Sequence, residues 1–209
     1  RAFRRALAAE GRADELDALL DADNTAPVVT LAALPGLAER PADAAATPYS
    51  PIGFRSAGGD PAGVVTASGG LVRVQDEGSQ LAALALARAV PVRAGEKWLD
   101  LCAAPGGKTA VLAAEALAHG ASLEANEVSP ARAGLVRDSV AAIPLPVPVS
   151  EEDGRVRAGR GRYDRILVDA PCTGLGALRR RPESRWRRTP ADLAELTGLQ
   201  AELLDAAVG

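Results

Sequence analysis

A glycine turn between an apolar strand and a helix is the feature that most constrains how this chain folds. Residues 98–102 predict a buried strand, and Gly106 and Gly107 then turn the chain into a helix that ends near His119. Glycine leaves room for a ligand to approach the backbone, and the start of a helix offers free N–H groups. The sequence therefore predicts a ligand site where this strand ends.

Strand and helix patterns continue to alternate beyond the turn. Further strands are expected at residues 122–126, 145–149 and 165–169, with helical stretches between them and a last helix from Thr189, as its cap, to Ala207. This alternation predicts an α/β fold with a Rossmann-like parallel sheet. We expect the strand order 3-2-1-4, in which the first strand is central.

The N-terminal region has a different character. Residues 1–23 predict two helical stretches, and residues 25–70 hold short apolar runs between prolines and glycines, which is typical of a small irregular subdomain that contains β-structure. Ser79 is expected to cap the helix that follows. We therefore divide the chain into an α+β subdomain at 1–75 and a Rossmann-like domain at 76–209.

Composition excludes several protein classes. The 209 residues are 47% hydrophobic and 24% charged, as in a globular protein, and lack methionine, which indicates a fragment or processed chain. The longest apolar stretch, at 81–90, is too short to span a bilayer, so no membrane contact is expected. Cys102 and Cys172 are the only cysteines, which favours a reducing, cytoplasmic environment. His119 has no Cys or His at metal-site spacing, so no metal is expected.

Charge is distributed unevenly along the chain. The net charge is -3, yet residues 151–190 hold 11 arginines and only six acidic residues. Within this segment, residues 179–188 read RRRPESRWRR, which favours phosphate contact by the candidate RNA-binding residues Arg179, Arg180 and Arg181. A solvated loop from an arginine-rich proteome is the open alternative. Trp186 is expected to pack beneath this loop, with stacking on a base as the alternative.

Two ligands fit the glycine turn. A nucleoside triphosphate is one, because Gly107-Lys108-Thr109 matches the end of a P-loop, although Cys102 stands where that motif needs its first glycine. S-adenosylmethionine is the other, because its ribose needs a carboxylate at the next strand end, where Glu127 lies. Glu127 could equally be an ordinary acid at a helix start.

Acidic residues also follow the third and fourth strands. Asp153 is placed to meet an adenine amino group, although alone it reads as a solvated turn. Asp169 ends the fourth strand, and Cys172 follows three residues later. A thiol at such a junction favours a functional role for Cys172 over that of a small apolar filler.

These motifs stand in one order along the chain: DLCAAPGGKT at 100–109, NE at 126–127 followed by Arg132, DGR at 153–155 and DAPCTG at 169–174. They resemble those of the RNA cytosine-5 methyltransferases, the NOL1/NOP2/Sun family. The resemblance covers about residues 24–208. Its N-terminal part is most similar to RsmB-like 16S rRNA methyltransferases of the actinobacterial type.

The resemblance implies S-adenosylmethionine as the cofactor and RNA, here 16S rRNA, as the partner and substrate. Glu127 would hold the ribose, Asp153 would lie by the adenine, and Arg132 would also contact the cofactor. The methionine end would be lined by Cys102, Ala103, Ala104, Pro105, Gly106, Gly107 and Lys108.

The resemblance also implies roles in catalysis. Asp169 would lie between cofactor and cytosine, and Cys172 would assist release of the methylated RNA. The attacking cysteine of this family belongs to a later Thr-Cys motif, which the sequence does not contain, so the fragment itself is expected to be inactive. A P-loop NTPase and a non-catalytic RNA-binding module stay open as alternative functions.

Overall fold

The computed structural model describes residues 2–25, 27–159 and 162–209, apart from the side chains of Ala2 and Arg185. The chain forms two compact units. One comprises Arg1–Val28 and Cys172–Thr197, and the other comprises Val29–Pro171 and Gly198–Gly209. Neither unit begins or ends between residues 75 and 76, where a domain boundary is expected from the sequence. A folding domain that begins at residue 76 stays a prediction.

The chain begins with two helices, as predicted. Helix α1 (Ala2–Ala9) is followed by a 3-10 turn at Ala13–Glu15 and by helix α2 (Leu16–Asn24). Gly11 separates them with a φ of 71°, a left-handed conformation that glycine adopts without strain.

A small antiparallel sheet follows, in the order β2-β1-β3. Its strands are β1 (Thr30–Ala33), β2 (Gly53–Arg55) and β3 (Val72–Val74). The short helix α3 (Ala62–Ala67) connects the last two. The structure therefore confirms a β-containing region in this part of the chain.

Helix α4 (Glu77–Arg88) carries a buried glutamine that bonds to the small sheet. The Gln80 amide donates to Leu31 O at 3.3 Å and to Gln75 O at 2.9 Å, and it accepts from Ser50 Oγ at 2.6 Å. The helix begins two residues before Ser79, so the cap predicted at Ser79 is wrong. Asp76 is the last residue with extended backbone before the helix, so the helix starts earlier than the apolar pattern of the sequence indicated.

The second sheet is parallel and has the order β6-β5-β4-β7. Its strands are β4 (Lys97–Asp100), β5 (Ser122–Asn126), β6 (Val149–Ser150) and β7 (Arg165–Leu167). The predicted order 3-2-1-4 is confirmed, and β4 pairs on both sides. The four carboxyl ends consequently meet at one edge of the sheet, as in Rossmann-like folds.

Three helices connect these strands: α5 (Gly107–His119), α6 (Pro130–Val140) and α7 (Gly154–Ala158). The strand predicted at 145–149 is shortened to Val149 and Ser150. Pro144, Pro146 and Pro148 cannot donate backbone hydrogen bonds, so the β-ladder begins only at Val149. Immediately before it, Pro148 O accepts from Ala125 N at 2.9 Å.

A buried ion pair between Arg165 and Glu96 lies at the amino end of the parallel sheet. Arg165 Nε donates to Glu96 Oε2 at 2.8 Å, and the same guanidinium donates to carbonyls that end α4, including Leu86 O and Ala87 O. Trp98 Nε1 also donates to Glu96 Oε2, at 2.9 Å. These hydrogen bonds, with Arg165 foremost, lower the pKa of Glu96 to about 2. The pair satisfies carbonyls that lack partners at a helix end.

The chain ends with a 3-10 turn at Leu175–Ala177, helix α8 (Ser184–Arg187) and helix α9 (Pro190–Val208). Thr189 N donates to Asp192 Oδ2 at 2.7 Å, and Asp192 N donates to Thr189 Oγ1 at 3.4 Å, which confirms the predicted cap. No helix among the described residues combines the length and hydropathy needed to cross a bilayer.

Candidate functional site

Two cavities lie at the carboxyl edge of the parallel sheet. Cavity 1, of about 190 Å³, is lined by Val74, Gln75, Asp76, Ser79, Asp100, Cys102, Ala103, Ala104, Pro105, Gly107, Lys108 and Asp169. Cavity 2, of about 260 Å³, is lined by Leu101, Cys102, Asn126, Glu127, Val128, Arg132, Asp153, Gly154, Arg155, Asp169, Pro171, Leu199 and Leu203. Cys102 and Asp169 line both, so the cavities adjoin. The predicted acids Glu127, Asp153 and Asp169 meet in cavity 2.

The glycine loop between β4 and α5 allows close packing against α6. Gly106 has a φ of 104°, and a Cβ there would lie 2.4 Å from Ser139 Cβ. Both facts require glycine at this position. Ser139 Oγ also donates to Pro105 O at 3.1 Å, which fixes the loop against α6.

Asp100, at the end of β4, is fully buried beside this loop. Thr109 Oγ1 donates to Asp100 Oδ2 at 2.7 Å, whereas Asp100 Oδ1 has no hydrogen-bond partner among the described residues. Burial raises the pKa of Asp100 to about 7, opposed by the Thr109 hydrogen bond and reinforced by the charge of Asp169. A buried acceptor of this kind is available to a cationic ligand group.

Lys108 connects the loop to β7. Its Nζ donates to Asp169 Oδ2 at 2.7 Å and to Ser79 Oγ at 3.3 Å. The lysine is mostly buried, whereas Asp169 is half exposed at the junction of the two cavities. The ion pair therefore holds the Asp169 carboxylate at that junction while leaving it accessible.

Glu127 follows β5 and is buried. Its Oε1 accepts from Ser129 N at 3.0 Å, at the start of α6, and lies 3.6 Å from Arg132 Nη1. Arg132 also donates to Ala104 O in the glycine loop, at 3.3 Å. Glu127 is thus both a helix-start acid and a cavity wall, and the two interpretations of the sequence are compatible.

Asn126 was not predicted as a site residue, although it orders the strand ends around cavity 2. Its Nδ2 donates to Leu101 O at 3.2 Å and to Glu152 O at 3.0 Å. Its Oδ1 accepts from Ser150 Oγ at 2.8 Å and from Glu152 N at 3.1 Å. The amide therefore links the ends of β4, β5 and β6.

Asp153 begins α7 and interacts with an arginine. It accepts from Arg155 N at 2.9 Å and from the Arg155 guanidinium at 2.6 Å, and these bonds lower the pKa of Asp153 to about 2. Arg155 also pairs with Glu202 at 2.6 Å. The carboxylate is thus ionised, and the adenine contact stays a prediction.

The two cysteines differ in environment. Cys102 is partly buried in the second unit, where burial and then the nearby Asp100 raise the pKa of its thiol to about 12. Cys172 is exposed and belongs to the first unit. Cys102 is therefore a neutral thiol at physiological pH, which favours packing over nucleophilic chemistry.

The arginine-rich loop also belongs to the first unit. Arg179, Arg180 and Arg181 are exposed, while the side chain of Arg185 lies outside the described residues. Trp186 is 87% exposed, so its predicted packing is wrong. Its helix α8 has only four residues, with arginines on both sides of the tryptophan, and offers little apolar surface to cover the ring.

The described residues contain no group of three or more His, Cys, Asp or Glu side chains able to hold a metal ion.

Gln75 is a further cavity residue that sequence reasoning did not assign. It belongs to the VQDEGSQ stretch at residues 74–80, between β3 and α4.

Comparison with known proteins places these features in a family. Residues 87–209, more than half of the chain, match the family model for the 16S rRNA methyltransferase RsmB/F. The Mycobacterium tuberculosis protein Rv1407, which carries the name of a methyltransferase, is 49% identical over 199 residues, 93% of this chain and 43% of that protein. Ribosomal RNA small subunit methyltransferase B of Salmonella agona is 42% identical over 140 residues, 66% of this chain and 31% of the relative. The chain thus spans less than half the length of these relatives.

Solved structures agree with the sequence match. The crystal structure of PH0851 has a TM-score of 0.81 at 27% identity, over 93% of this chain and 46% of that one. The crystal structure of NSun6 from Pyrococcus horikoshii with SFG has a TM-score of 0.56 at 27% identity, over 66% of this chain and 35% of that one. With a matching family model, a parallel Rossmann-like sheet and a glycine loop at its carboxyl edge, the chain belongs to the 16S rRNA methyltransferase RsmB/F family.

Proposed function

We propose that the full-length protein transfers a methyl group from S-adenosylmethionine to C5 of a cytosine in RNA, with 16S rRNA as the substrate. The observation that carries this proposal is the buried Glu127 carboxylate in cavity 2, at the strand end next to the glycine loop. A carboxylate only accepts hydrogen bonds and therefore suits the two hydroxyls of a ribose. Family membership supports the same conclusion.

The adjoining cavities suit a ligand with two parts. A nucleoside fits cavity 2, which has apolar walls and the acids Glu127 and Asp153, and an amino-acid group fits cavity 1, next to the start of α5. Cys102 and Asp169 lie where the two parts would join. The NSun6 structure with SFG, an analogue of S-adenosylmethionine, supports this choice of cofactor.

When bound, S-adenosylmethionine supplies an electrophilic methyl group on a sulfonium sulfur. Cytosine C5 is a weak nucleophile, and a cysteine thiolate that adds to C6 would make C5 nucleophilic. After C5 has taken the methyl group, loss of the C5 proton and elimination of the thiolate restore the aromatic ring. We assign the attack to a Thr-Cys motif that this sequence does not contain, and the release to Cys172.

Asp169 is the proposed acid beside the pyrimidine. In its protonated form it would donate to cytosine N3 and offset the negative charge that develops on the ring during attack at C6. Lys108 orients this carboxyl group through the 2.7 Å contact to Oδ2. The residues Arg179, Arg180 and Arg181 would contact RNA phosphates, and the α+β region at 1–75 would also bind RNA.

Calorimetric titration of the full-length protein with S-adenosylhomocysteine and with ATP tests the cofactor assignment. We expect S-adenosylhomocysteine to bind and ATP not to compete. Glu127→Ala should weaken binding about 10- to 100-fold, the cost of losing hydrogen bonds to a charged acceptor. Glu151→Ala is the matched control, because Glu151 pairs with Arg137 at 2.6 Å and does not line cavity 2. ATP binding in preference, or unchanged affinity in Glu127→Ala, would contradict the proposal.

A further inference from the structure

The loop at residues 47–53, which leads into β2, presents an aromatic ring to solvent. Tyr49 is 77% exposed, although the next residue, Ser50, is buried. The other tyrosine of the chain differs, because Tyr163 is partly buried and the Arg157 guanidinium lies 5.5 Å from the centre of its ring. Packing among the described residues therefore uses the ring of Tyr163 and leaves that of Tyr49 uncovered.

The backbone of this loop is held firmly against α4. Tyr49 N and Ser50 N donate to Glu77 Oε1 at 2.7 and 2.8 Å, at the first residue of the helix. Pro48 and Pro51 restrict the backbone on either side of the ring. A ring held in this way loses little conformational entropy when it meets a ligand.

The start of α4 is joined to the carboxyl edge of the parallel sheet. Ser79, two residues after Glu77, accepts from Lys108 Nζ at 3.3 Å, and the same Nζ donates to Asp169 Oδ2 at 2.7 Å. Ser79 also lines cavity 1. Tyr49 is thus fixed close to the cavities in which the proposed methyl transfer takes place.

A cation lies near the glutamate that anchors this loop. Desolvation would raise the pKa of Glu77, but hydrogen bonds, chiefly from Ser50 and Tyr49, lower it, and the charge of Arg55 lowers it further. Arg55 is itself exposed, on β2. An exposed aromatic ring with a guanidinium nearby suits single-stranded RNA, because unpaired bases stack on aromatic side chains and phosphates attract cations.

We propose that the Tyr49 ring stacks on an unpaired base that neighbours the target cytosine in the RNA. This assignment rests on the proposed methylation of RNA and names a side chain that holds the strand beside the reacting base. It differs from the phosphate contacts proposed for Arg179, Arg180 and Arg181, because a stacked ring contacts a base and releases no counterions.

The test measures, by fluorescence anisotropy, how the full-length protein binds a single-stranded RNA oligonucleotide with a central cytosine. Tyr49→Ala should weaken binding roughly 5- to 100-fold, the range for loss of one base–aromatic stack, without changing the slope of log K against log salt. Tyr49→Phe keeps the ring and should bind within about twofold of the unaltered protein. Val90→Ala is the control, because Val90 is 60% exposed beyond the other end of α4 and should leave RNA affinity unchanged.

Oligonucleotides that each lack one base locate the partner of the ring. Removing the stacked base should weaken binding to the unaltered protein by about the same factor as Tyr49→Ala. The same oligonucleotide should cause no further loss in Tyr49→Ala, because both changes remove one interaction.

Several outcomes would overturn the assignment. Equal RNA affinity of Tyr49→Ala and the unaltered protein would remove Tyr49 from the RNA interface, while the proposed function would stand. If that variant also unfolded at a lower temperature, the ring would instead pack against another protein segment. Fully additive losses with every base-deleted oligonucleotide would show that the ring contacts no base. If the unaltered protein bound no RNA, the proposed function would fail together with this assignment.

Discussion

Lys108 Nζ lies 2.7 Å from Asp169 Oδ2, so that the first turn of α5 is joined to the end of β7. The lysine is 18% exposed and the aspartate is 50% exposed. The ion pair is thus covered on the lysine side and open on the side of the cavities. In our account it positions Asp169 between cofactor and cytosine, and its loss should affect methyl transfer more than binding.

Lys108→Met should lower kcat about 100-fold, because misplacing a reacting group by an ångström has an effect of that order. Cofactor affinity should change much less. Lys97→Met is the matched control, since Lys97 is the other lysine of the chain and is exposed at the start of β4. Steady-state kinetics of RNA methylation would measure both variants. Equal kcat values for Lys108→Met and Lys97→Met would remove Lys108 from catalysis.

Asp100 should make stability depend on pH. Its ordinary pKa of 3.8 is raised to about 7 by burial, so the folded protein binds this proton more tightly than the unfolded chain. The favourable contribution is present at acidic pH and is lost as the pH rises from about 4 to about 7. Between pH 5 and pH 8 the unaltered protein should lose roughly 2–3 kcal/mol more than Asp100→Asn.

Urea denaturation of both proteins at the two pH values would measure this difference, since other titrating groups are common to both. Parallel changes in the free energy of unfolding would show that Asp100 is not buried as a neutral acid.

The two thiols should differ in reactivity. Because the pKa of Cys102 is raised to about 12, little thiolate is present at pH 8, whereas Cys172 is exposed. Alkylation with iodoacetamide at pH 8, followed by peptide mass spectrometry, should label Cys172 on the order of a thousandfold faster than Cys102. Comparable labelling in the folded protein would contradict the buried position of Cys102.

The arginine-rich loop should contribute to RNA affinity through phosphate contacts. Replacing Arg179, Arg180 and Arg181 together by alanine should weaken binding and reduce the slope of log K against log salt by roughly 0.7 to 0.9 per lost contact. Arg4 and Arg5, exposed on α1, provide a control double variant. If the salt slope of the triple variant equals that of the control variant, the arginine-rich loop is a solvated surface that makes no phosphate contacts.

The sequence predicted the features that depend on local signals. The strand predicted at residues 98–102, the turn at Gly106 and Gly107, and the cap at Thr189 all rest on residues close together in the chain. The turn and the cap are confirmed, and the strand is found one to two residues earlier, at Lys97–Asp100. The order of four parallel strands followed from the alternation with helices.

Other features depend on packing between distant segments. Gln75 and Gly107 are 32 positions apart, and only the fold shows that the glutamine amide lies against the start of α5 with no hydrogen-bond partner among the described residues. Asn126 likewise gains its role from carbonyls at the ends of two other strands. The cap expected at Ser79 and the packing expected for Trp186 were wrong because neighbouring segments decide where a helix starts and what a ring can cover.

The division of work between two cysteines is the central claim, and Cys172→Ala in the full-length protein tests it most directly. With RNA and S-adenosylmethionine present, the variant should still transfer methyl but release product slowly. A covalent protein–RNA adduct should therefore accumulate and survive denaturing electrophoresis, while the unaltered protein shows little. Absence of the adduct in Cys172→Ala under these conditions would contradict the proposed mechanism.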